Sequence, residues 1–343
     1  MTDFTLNIPD SLKNLLHTNP RKILITTHLN PDGDAIGSVL ALYHFLNKLN
    51  HEVVVVTPND FPEFLKWMPG SDNILIYTKR KRTVAELVKK ADIIFTLDFN
   101  VLNRLGDFEK EIGGAEGLKI MIDHHPDPGD YAKYTFSHTV ASSTGELIYH
   151  FIKGLSGLDK LDENIATCIY TGIMTDTGSF SYNSSSSETF RIIADLLKFP
   201  INKDYIHSSV YDNYSENRMR LMGYCLNKKM IVLKEYNAAF ISITSEELKN
   251  FNFVIGDTEG FVNLPFSIKG IVFTALFIEK PDHVKLSFRS KGNFSVNDFA
   301  RSHFEGGGHL NAAGGESKLS LDEAVKKFRD LLPEYKNQLS HVF

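Results

Sequence analysis

The segment 27–38, THLNPDGDAIGS, holds one imidazole and two carboxylates within seven residues, at His28, Asp32 and Asp34. Imidazole nitrogens and carboxylate oxygens together suit a divalent cation such as manganese. Gly33 would let the loop turn tightly enough to aim the neighbouring carboxylates at different ions. Because Pro-Asp-Gly is also a common turn sequence, a surface turn and a metal site are equally good interpretations of this segment alone.

Three further segments carry the same residue types. Asp98 ends the apolar run DIIFTLD, IDHHPDP places His124 and His125 after another apolar run, and GIMTDTGSF places Asp176 at the end of a helical apolar face. Taken singly, Asp98 is more simply a loop cap and Asp176 a solvated helix end. Six such side chains converging without a cation would repel one another, so together they predict a metal centre.

The elements that must position these residues are short apolar runs alternating with helical patterns. KILITT (22–27), EVVVVT (52–57), DIIFTLD (92–98) and GLKIMID (117–123) predict buried parallel strands joined by helices. The carboxyl ends of such strands meet at one edge of the sheet, where ligands bind. Cys168 falls on the apolar face of a later helical pattern and is predicted to be a core residue.

The C-terminal part of the chain predicts a second, smaller α/β domain. It contains strand-like MIVLKEYNAAFISIT, GIVFTALFIEK and HVKLSFRS, and alternation in the last of these turns Arg289 away from the core. In GGGH (306–309), the glycines would let backbone N–H groups approach an anion, and His309 adds a donor. We place a metal-binding domain at 1–195, a helical linker at 196–226 and a substrate-binding domain at 227–343.

Composition narrows the class of protein. The 343 residues are 42% hydrophobic and 23% charged, as in ordinary globular proteins, and the net charge is −5. An acidic chain is poorly suited to long nucleic acid, which needs many basic phosphate contacts. Two cysteines and no apolar run of membrane-spanning length predict a cytoplasmic protein with no membrane partner.

The motifs resemble those of one enzyme family. NPDGDAIGS, LDFN, DHHP and TDTGSF match, in order, the four motifs of the DHH phosphoesterases, and GGGHLNAAGG is similar to the glycine–histidine motif of the DHH-associated C-terminal domain. The chain looks like the nanoRNase/pAp-phosphatase subgroup. This resemblance implies an active-site cleft between the domains and hydrolysis of short oligoribonucleotides (nanoRNA) or 3′-phosphoadenosine 5′-phosphate (pAp) to mononucleotides. A homodimer stays open.

The resemblance also implies roles for particular residues. One ion would be held by His28, Asp32 and Asp98, and a second by Asp34, His124, Asp176 and the bridging Asp98. The implied ions are two Mn²⁺, with Mg²⁺ or Co²⁺ as substitutes. The catalytic residues would be Asp98 and His125, which faces the scissile phosphate. Substrate contacts are assigned to the C-terminal lobe, at Arg289, Gly307, Gly308 and His309. Relatives place an arginine shortly after the TDTGSF motif, where this chain reads SYNSSS, and Arg104 or Arg191 could substitute for it.

Other activities of the same family are alternatives. A linear or cyclic dinucleotide phosphodiesterase would use the same metal centre, and so would an inorganic pyrophosphatase or exopolyphosphatase. A RecJ-type exonuclease is disfavoured because the chain is acidic and has no added nucleic-acid module. A metal-binding sensor without activity would show a missing ligand, whereas every expected position is filled.

Overall fold

The computed structural model describes residues 6–340, which divide into two compact units between Asn213 and Tyr214. This division falls inside the segment 196–226 that was predicted as a helical linker, and the predicted domain limits themselves stay a prediction. Within the described residues, no helix combines the length and apolar character that crossing a membrane requires.

The first unit is built around a six-stranded parallel sheet with helices around it. Its helices are α1 (Asp10–Thr18), α2 (Gly33–Lys48), α3 (Lys81–Lys90), α4 (Glu109–Gly113), α5 (Thr144–Gly154), α6 (Glu163–Asp176), α7 (Ser187–Leu196) and α8 (Lys203–Tyr211). Its strands are β1 (Lys22–Thr27), β2 (Glu52–Thr57), β3 (Leu75–Ile76), β4 (Ile93–Leu97), β5 (Leu118–Asp123) and β6 (Tyr134–Ser137).

The strand order in this sheet is β3-β2-β1-β4-β5-β6, and every pairing is parallel. The order reverses direction beside β1, because the chain moves outward to β2 and β3 and then returns to β4 on the other side. In open parallel sheets, such a reversal leaves a crevice at the carboxyl ends of the strands. The four predicted strands are confirmed, and their continuous apolar runs are buried on both faces.

The second unit contains a six-stranded mixed sheet. Its helices are α9 (Glu216–Tyr224), α10 (Ser245–Asn250), α11 (Val296–His303) and α12 (Leu321–Ser340). Its strands are β7 (Met230–Leu233), β8 (Ala238–Ile243), β9 (Phe273–Glu279), β10 (Val284–Ser290), β11 (Glu305–Gly308) and β12 (Ala312–Ser317), in the order β11-β12-β10-β9-β8-β7. A phenylalanine-rich core, including Phe273, Phe288, Phe299 and Phe328, packs one face of this sheet against α11 and α12.

Two details of the second unit differ from the sequence prediction. MIVLKEYNAAFISIT forms two antiparallel strands, β7 and β8, because Asn237 adopts a left-handed conformation (φ 50°) that turns the chain. The glycine-rich segment Glu305–Gly308 forms the edge strand β11, an element that the sequence analysis did not predict. Glycine has a low strand propensity, so its pattern does not predict a strand.

Helices α2 and α6 cross closely enough to bring their backbones into contact. A Cβ atom on Gly37 of α2 would lie 2.6 Å from the carbonyl oxygen of Cys168 and 2.9 Å from the backbone nitrogen of Gly172, both on α6. Cys168 is completely buried at this crossing, which confirms it as a core residue. The two glycines therefore fix the separation of the helices that carry Asp34 and Asp176.

Candidate metal centre

Strand ends and helix ends of the first unit bring seven predicted side chains together. His28 follows β1, Asp98 follows β4, and His124 and His125 follow β5. Asp32 is the N-cap residue of α2, Asp34 lies in its first turn, and Asp176 is the last residue of α6. The parallel sheet explains the convergence of the strand-end residues, because its carboxyl ends share one edge.

The nitrogen and oxygen atoms of these side chains face one another at short distances. His28 Nε2 lies 3.4 Å from Asp98 Oδ2, and His124 Nε2 lies 3.6 Å from both Asp98 Oδ1 and Asp176 Oδ2. His124 Nε2 is also 4.0 Å from Asp34 Oδ2. The two oxygens of Asp98 therefore point to two different histidines, one on each side.

The cluster contains two sets of three side chains that could each hold a metal ion. Within each set, the three potential ligand atoms lie within 4.8 Å of one another. The first is His28, Asp32 and Asp98, and the second is Asp34, His124 and Asp176. His28 Nδ1–H donates a hydrogen bond to the carbonyl oxygen of Leu29 at 2.9 Å. The other ring nitrogen, Nε2, faces Asp98 and could bind a metal ion there. Such a bond on the remote ring nitrogen is typical of metal-binding histidines.

The electrostatics of the metal-free cluster are those of an anionic cavity. Burial alone would lower the pKa of His124, but the carboxylates of Asp176, Asp98 and Asp34 outweigh it and raise the pKa to about 9. Burial and the charge of Asp98 raise the pKa of Asp176 to about 6, although His124 opposes them. Burial, Asp98 and Asp176 hold the pKa of Asp34 well above its ordinary value.

The pKa of Asp98 is shifted in the opposite direction from those of Asp34 and Asp176. Burial would raise its pKa, but the hydrogen bond from His28 and the charges of His125, His28 and His124 hold the pKa far below its ordinary value. The pKa of His28 is correspondingly raised, because Asp98 and Asp32 outweigh the effect of burial. Asp98 also has a left-handed backbone (φ 65°), a conformation that Asp tolerates better than most residues. Such strain is concentrated at functional sites.

These residues fit divalent cations. A cation with metal–ligand distances of about 2.0–2.2 Å can contact donor atoms up to about 4.4 Å apart, and all four His–Asp separations given above are shorter. Mixed imidazole and carboxylate donors suit manganese and related ions. Cations would also remove the repulsion that raises the pKa values of Asp34 and Asp176.

The N-terminus of α5 holds the central carboxylates, a role that no motif predicted. The backbone N–H groups of Thr144 and Gly145 donate to Asp34 at 2.7 and 2.8 Å, and the Thr144 hydroxyl donates to Asp98 Oδ1 at 2.9 Å. Ser38 adds a hydrogen bond to Asp34 at 3.2 Å. Thr144 lies 110 residues from Asp34, and the only local signal is the N-cap residue Ser143 before it.

Asp123, the first residue of the Asp-His-His triplet, was also missed. Its Oδ1 accepts a hydrogen bond from His125 Nδ1 at 2.7 Å, and the carboxyl group is completely buried. This bond fixes the orientation of the His125 ring. His125 Nδ1 is 3.9 Å from Asp98 Oδ1, so His125 lies beside the cluster, and its role at the scissile phosphate stays a prediction.

Gly33 has a different role from the one expected. It is the first residue of α2 and lies outside the positive-φ region, so no unusual backbone conformation requires glycine there. A Cβ atom at this position would lie 2.5 Å from the side chain of Thr175, the residue before Asp176. The prediction of a tight glycine turn was therefore wrong, and glycine instead permits close packing of α2 on α6.

Arg104 lies next to the cluster, as the sequence analysis proposed. Its side chain is exposed, and its positive charge acts to lower the pKa of His28. The carbonyl oxygen of Arg104 accepts a hydrogen bond from the Leu29 backbone N–H at 2.7 Å. The segment after β4 is thus joined to the loop that carries His28.

The predicted substrate contacts of the second unit lie on or directly after β10 and β11, the two strands that pair with either side of β12. Arg289 of β10 is paired with Ala312 of β12, and Ala312 accepts a hydrogen bond from His309 N–H at 2.7 Å. Gly308 N–H donates to Asn297 Oδ1 at 2.9 Å. The expectation that the glycines present their N–H groups to an anion is therefore wrong for Gly308, and the same holds for His309 N–H. Gly307 lies in β11, between Gly306 and Gly308.

Comparisons with known proteins agree with this arrangement. The model of the DHH family, N-terminal domain, matches residues 22–173, and the DHHA1 domain matches residues 237–336. The bifunctional oligoribonuclease and PAP phosphatase NrnA of Bacillus subtilis is 30% identical over 313 residues, which cover 90% of this chain and 93% of that protein.

Two solved structures are also similar. An exopolyphosphatase-related protein from Bacteroides fragilis is 45% identical, with a TM-score of 0.93 and coverage of 98% of this chain and 100% of that one. RecJ of Thermus thermophilus, solved with Mn²⁺, is 13% identical with a TM-score of 0.52, covering 96% of this chain and 54% of RecJ. The second likeness concerns the fold alone.

Proposed function

The chain belongs to the DHH family of phosphoesterases, and we propose that it hydrolyses short oligoribonucleotides and pAp to mononucleotides with two divalent metal ions. The observation that carries the proposal is the pair of ligand sets joined by Asp98, whose two oxygens face His28 and His124 at 3.4 and 3.6 Å. A site with one ion would not need a carboxylate in this bridging position.

We assign the first ion to His28, Asp32 and Asp98, and the second to Asp34, Asp98, His124 and Asp176. The proposed ions are Mn²⁺, with Mg²⁺ or Co²⁺ as substitutes, because the donor set mixes imidazole with carboxylate. When bound, such ions lower the pKa of water and neutralise charge on the phosphoryl oxygens.

His125 is proposed to act on the substrate through Nε2. Asp123 accepts the hydrogen bond from Nδ1, and this contact sets the orientation of the ring. In its imidazolium form, a ring held in this way can donate a proton or a hydrogen bond from Nε2 to the phosphate or to the leaving oxygen, and Asp123 stabilises that form. Arg104, whose exposed side chain lies near His28, is proposed to attract the anionic substrate.

In the second unit, Arg289 is proposed to contact a substrate phosphate. It lies on β10 and points away from the phenylalanine-rich core, and a guanidinium group can bind a phosphate through two parallel hydrogen bonds. Gly307, Gly308 and His309 are proposed to support the same contact. Since the N–H groups of Gly308 and His309 have partners within the unit, the side chain of His309 is the better candidate for the contact.

A second candidate activity is hydrolysis of inorganic pyrophosphate or polyphosphate. It is favoured by the likeness to the protein from Bacteroides fragilis that is described as exopolyphosphatase-related. The same metal ligands would serve this reaction, so the metal centre does not distinguish the two activities. The distinction between a nucleotide and an inorganic phosphate substrate must therefore come from the groups around the metal centre.

A substrate panel with Mn²⁺ tests the proposal. It contains pAp, a linear di-adenylate, a five-nucleotide RNA, a long RNA and inorganic pyrophosphate, with kcat/KM measured for each. We expect the di-adenylate, the short RNA and pAp to be hydrolysed best. A preference for pyrophosphate or for the long RNA would contradict the proposal. A cytoplasmic location and a homodimer stay predictions, and sedimentation velocity tests the second.

A further inference from the structure

Exposed apolar side chains occur on loops that are close in the chain to the residues of the candidate metal centre. Six large hydrophobic side chains are exposed in the described part of the first unit. Three of them, Leu29, Val140 and Tyr182, lie on loops that join or adjoin segments carrying cluster residues, with exposed fractions of 41, 72 and 45%. Apolar surface gains nothing from contact with an inorganic anion, so its position next to a phosphoesterase centre needs an explanation.

Backbone geometry ties two of these side chains to the cluster edge of the sheet. Leu29 directly follows His28 after β1. Val140 lies in the loop after β6, two residues beyond His138, whose backbone N–H donates to the carbonyl oxygen of Asp123 at 3.0 Å. Because β1 and β6 run parallel, both loops leave the sheet at the edge where the metal ligands lie.

The loop that carries Tyr182 follows Asp176 directly and has an unusual backbone. Three consecutive residues, Gly178, Ser179 and Phe180, have positive φ angles of 55°, 55° and 64°. Non-glycine residues adopt this region only under strain, and a bulky aromatic residue seldom does so. Such strain persists only where surrounding contacts hold the backbone in place.

Thr177 supplies those contacts. Its carbonyl oxygen accepts the backbone N–H groups of Ser181 and Tyr182, both at 2.9 Å. Its hydroxyl oxygen accepts the N–H of Phe180 at 3.1 Å and donates to the carbonyl oxygen of Ile173 at 2.6 Å. The loop is therefore joined to the C-terminal turn of α6, and its shape is fixed in the absence of substrate.

The loop places the Tyr182 ring against Gly178. A Cβ atom on Gly178 would lie 2.8 Å from Cδ2 of Tyr182, so the ring lies against the glycine backbone. Gly178 is two residues from Asp176, which keeps their Cα atoms within about 7.6 Å. The nearest atom of the ring is therefore within about 12 Å of the Cα atom of Asp176.

We propose that Tyr182 stacks on a nucleobase of the substrate, with Leu29 and Val140 covering apolar surface of the nucleoside. This inference rests on the proposed function and deepens it, because it makes the nucleoside a recognised part of the substrate. Stacking on an aromatic ring is available to every base, so a site of this kind accepts short oligonucleotides of any sequence. Inorganic pyrophosphate and polyphosphate have no group that could occupy it.

The test compares a linear di-adenylate with the same diester lacking both bases, in the presence of Mn²⁺. For Tyr182→Ala we expect KM for the di-adenylate to rise about tenfold, which corresponds to about 1.4 kcal/mol of lost stacking. KM for the base-free diester should equal the wild-type value. Tyr182→Phe keeps the ring and should stay close to wild type. Tyr205→Ala, which removes another exposed tyrosine ring of this unit, is the matched control.

A second variant perturbs the loop that carries the ring. Gly178→Ala places a methyl group against the Tyr182 ring at a residue whose φ of 55° strains any side chain, so KM for the di-adenylate should rise. An unchanged KM in Tyr182→Ala, or an equal rise for both diesters, would overturn the stacking site. A wild-type enzyme that prefers pyrophosphate to di-adenylate would instead overturn the proposed function.

Discussion

Replacing Thr144 by Val should weaken metal binding without removing a metal ligand. The hydroxyl of this completely buried residue donates to Asp98 Oδ1 at 2.9 Å, while its backbone N–H donates to Asp34 at 2.7 Å. Valine has nearly the same shape and keeps the backbone N–H. The substitution therefore removes one interaction, the hydrogen bond that orients Asp98, the carboxylate proposed to bridge the two ions.

The magnitude follows from the type of bond. A hydrogen bond to a charged group contributes about 1.5–3 kcal/mol. Loss of a partner that orients a metal ligand weakens metal affinity by about 10–100-fold, or about 1.4–2.7 kcal/mol, and the two ranges agree. At saturating Mn²⁺, a tenfold weaker Kd lowers the metal-dependent gain in folding free energy by about 1.4 kcal/mol.

Isothermal titration of metal-free protein with Mn²⁺ measures this effect directly, and the rise in Tm with Mn²⁺ measures it independently of activity. Thr144→Ser keeps the hydroxyl and should bind nearly as the wild type does. Thr171→Val is the matched control, because this buried threonine donates only to the carbonyl oxygen of Thr167 within α6. Wild-type affinity in Thr144→Val, or an equal loss in Thr171→Val, would refute the positioning role.

Three other predictions concern the cluster itself. Asp98→Asn keeps a residue that tolerates a positive φ but removes the bridging charge, so turnover of di-adenylate should be lost while far-ultraviolet circular dichroism is unchanged. Gly172→Ala places a methyl group 2.8 Å from Asp34 Oδ1 and should weaken Mn²⁺ binding, whereas Gly223→Ala, with no neighbour within 4 Å, should not. The pKa of about 9 for His124 and the raised pKa of Asp34 in the metal-free protein predict that metal binding at pH 7.5 releases protons, detectable by calorimetry in buffers of different ionisation enthalpy. Because the folded metal-free state holds the His124 proton above the ordinary pKa of 6.5, its stability should fall as pH rises from 6.5 through 9.

The sequence predicted the parallel sheet and the side chains that gather at its edge. After the exposed first residues Lys22 and Glu52, the runs KILITT and EVVVVT carry no charged side chain, and they form β1 and β2 with the predicted limits. Once these strands are parallel, the convergence of His28, Asp98 and His124 follows from the topology. In the C-terminal part, β9 was predicted from an apolar run and β10 from the alternation of apolar and polar residues.

The contacts that hold the site in place could not be predicted. Thr144 and Gly145 reach Asp34 across more than 100 residues, and their position depends on how α5 packs against the sheet. Gly172 lies next to Asp34 only because α2 and α6 cross closely. The strand β11 was missed because Gly306, Gly307 and Gly308 have no side chains and therefore no alternating pattern.

The most direct test of the proposed function is the release of mononucleotides from a linear di-adenylate by the wild-type protein. The reaction is followed with Mn²⁺, after removal of metal by chelation, and with Asp98→Asn in Mn²⁺. We predict release only by the wild type with metal, and only slow release from a long RNA under the same conditions. Release without metal, or undiminished release by Asp98→Asn, would contradict the two-metal phosphoesterase described above.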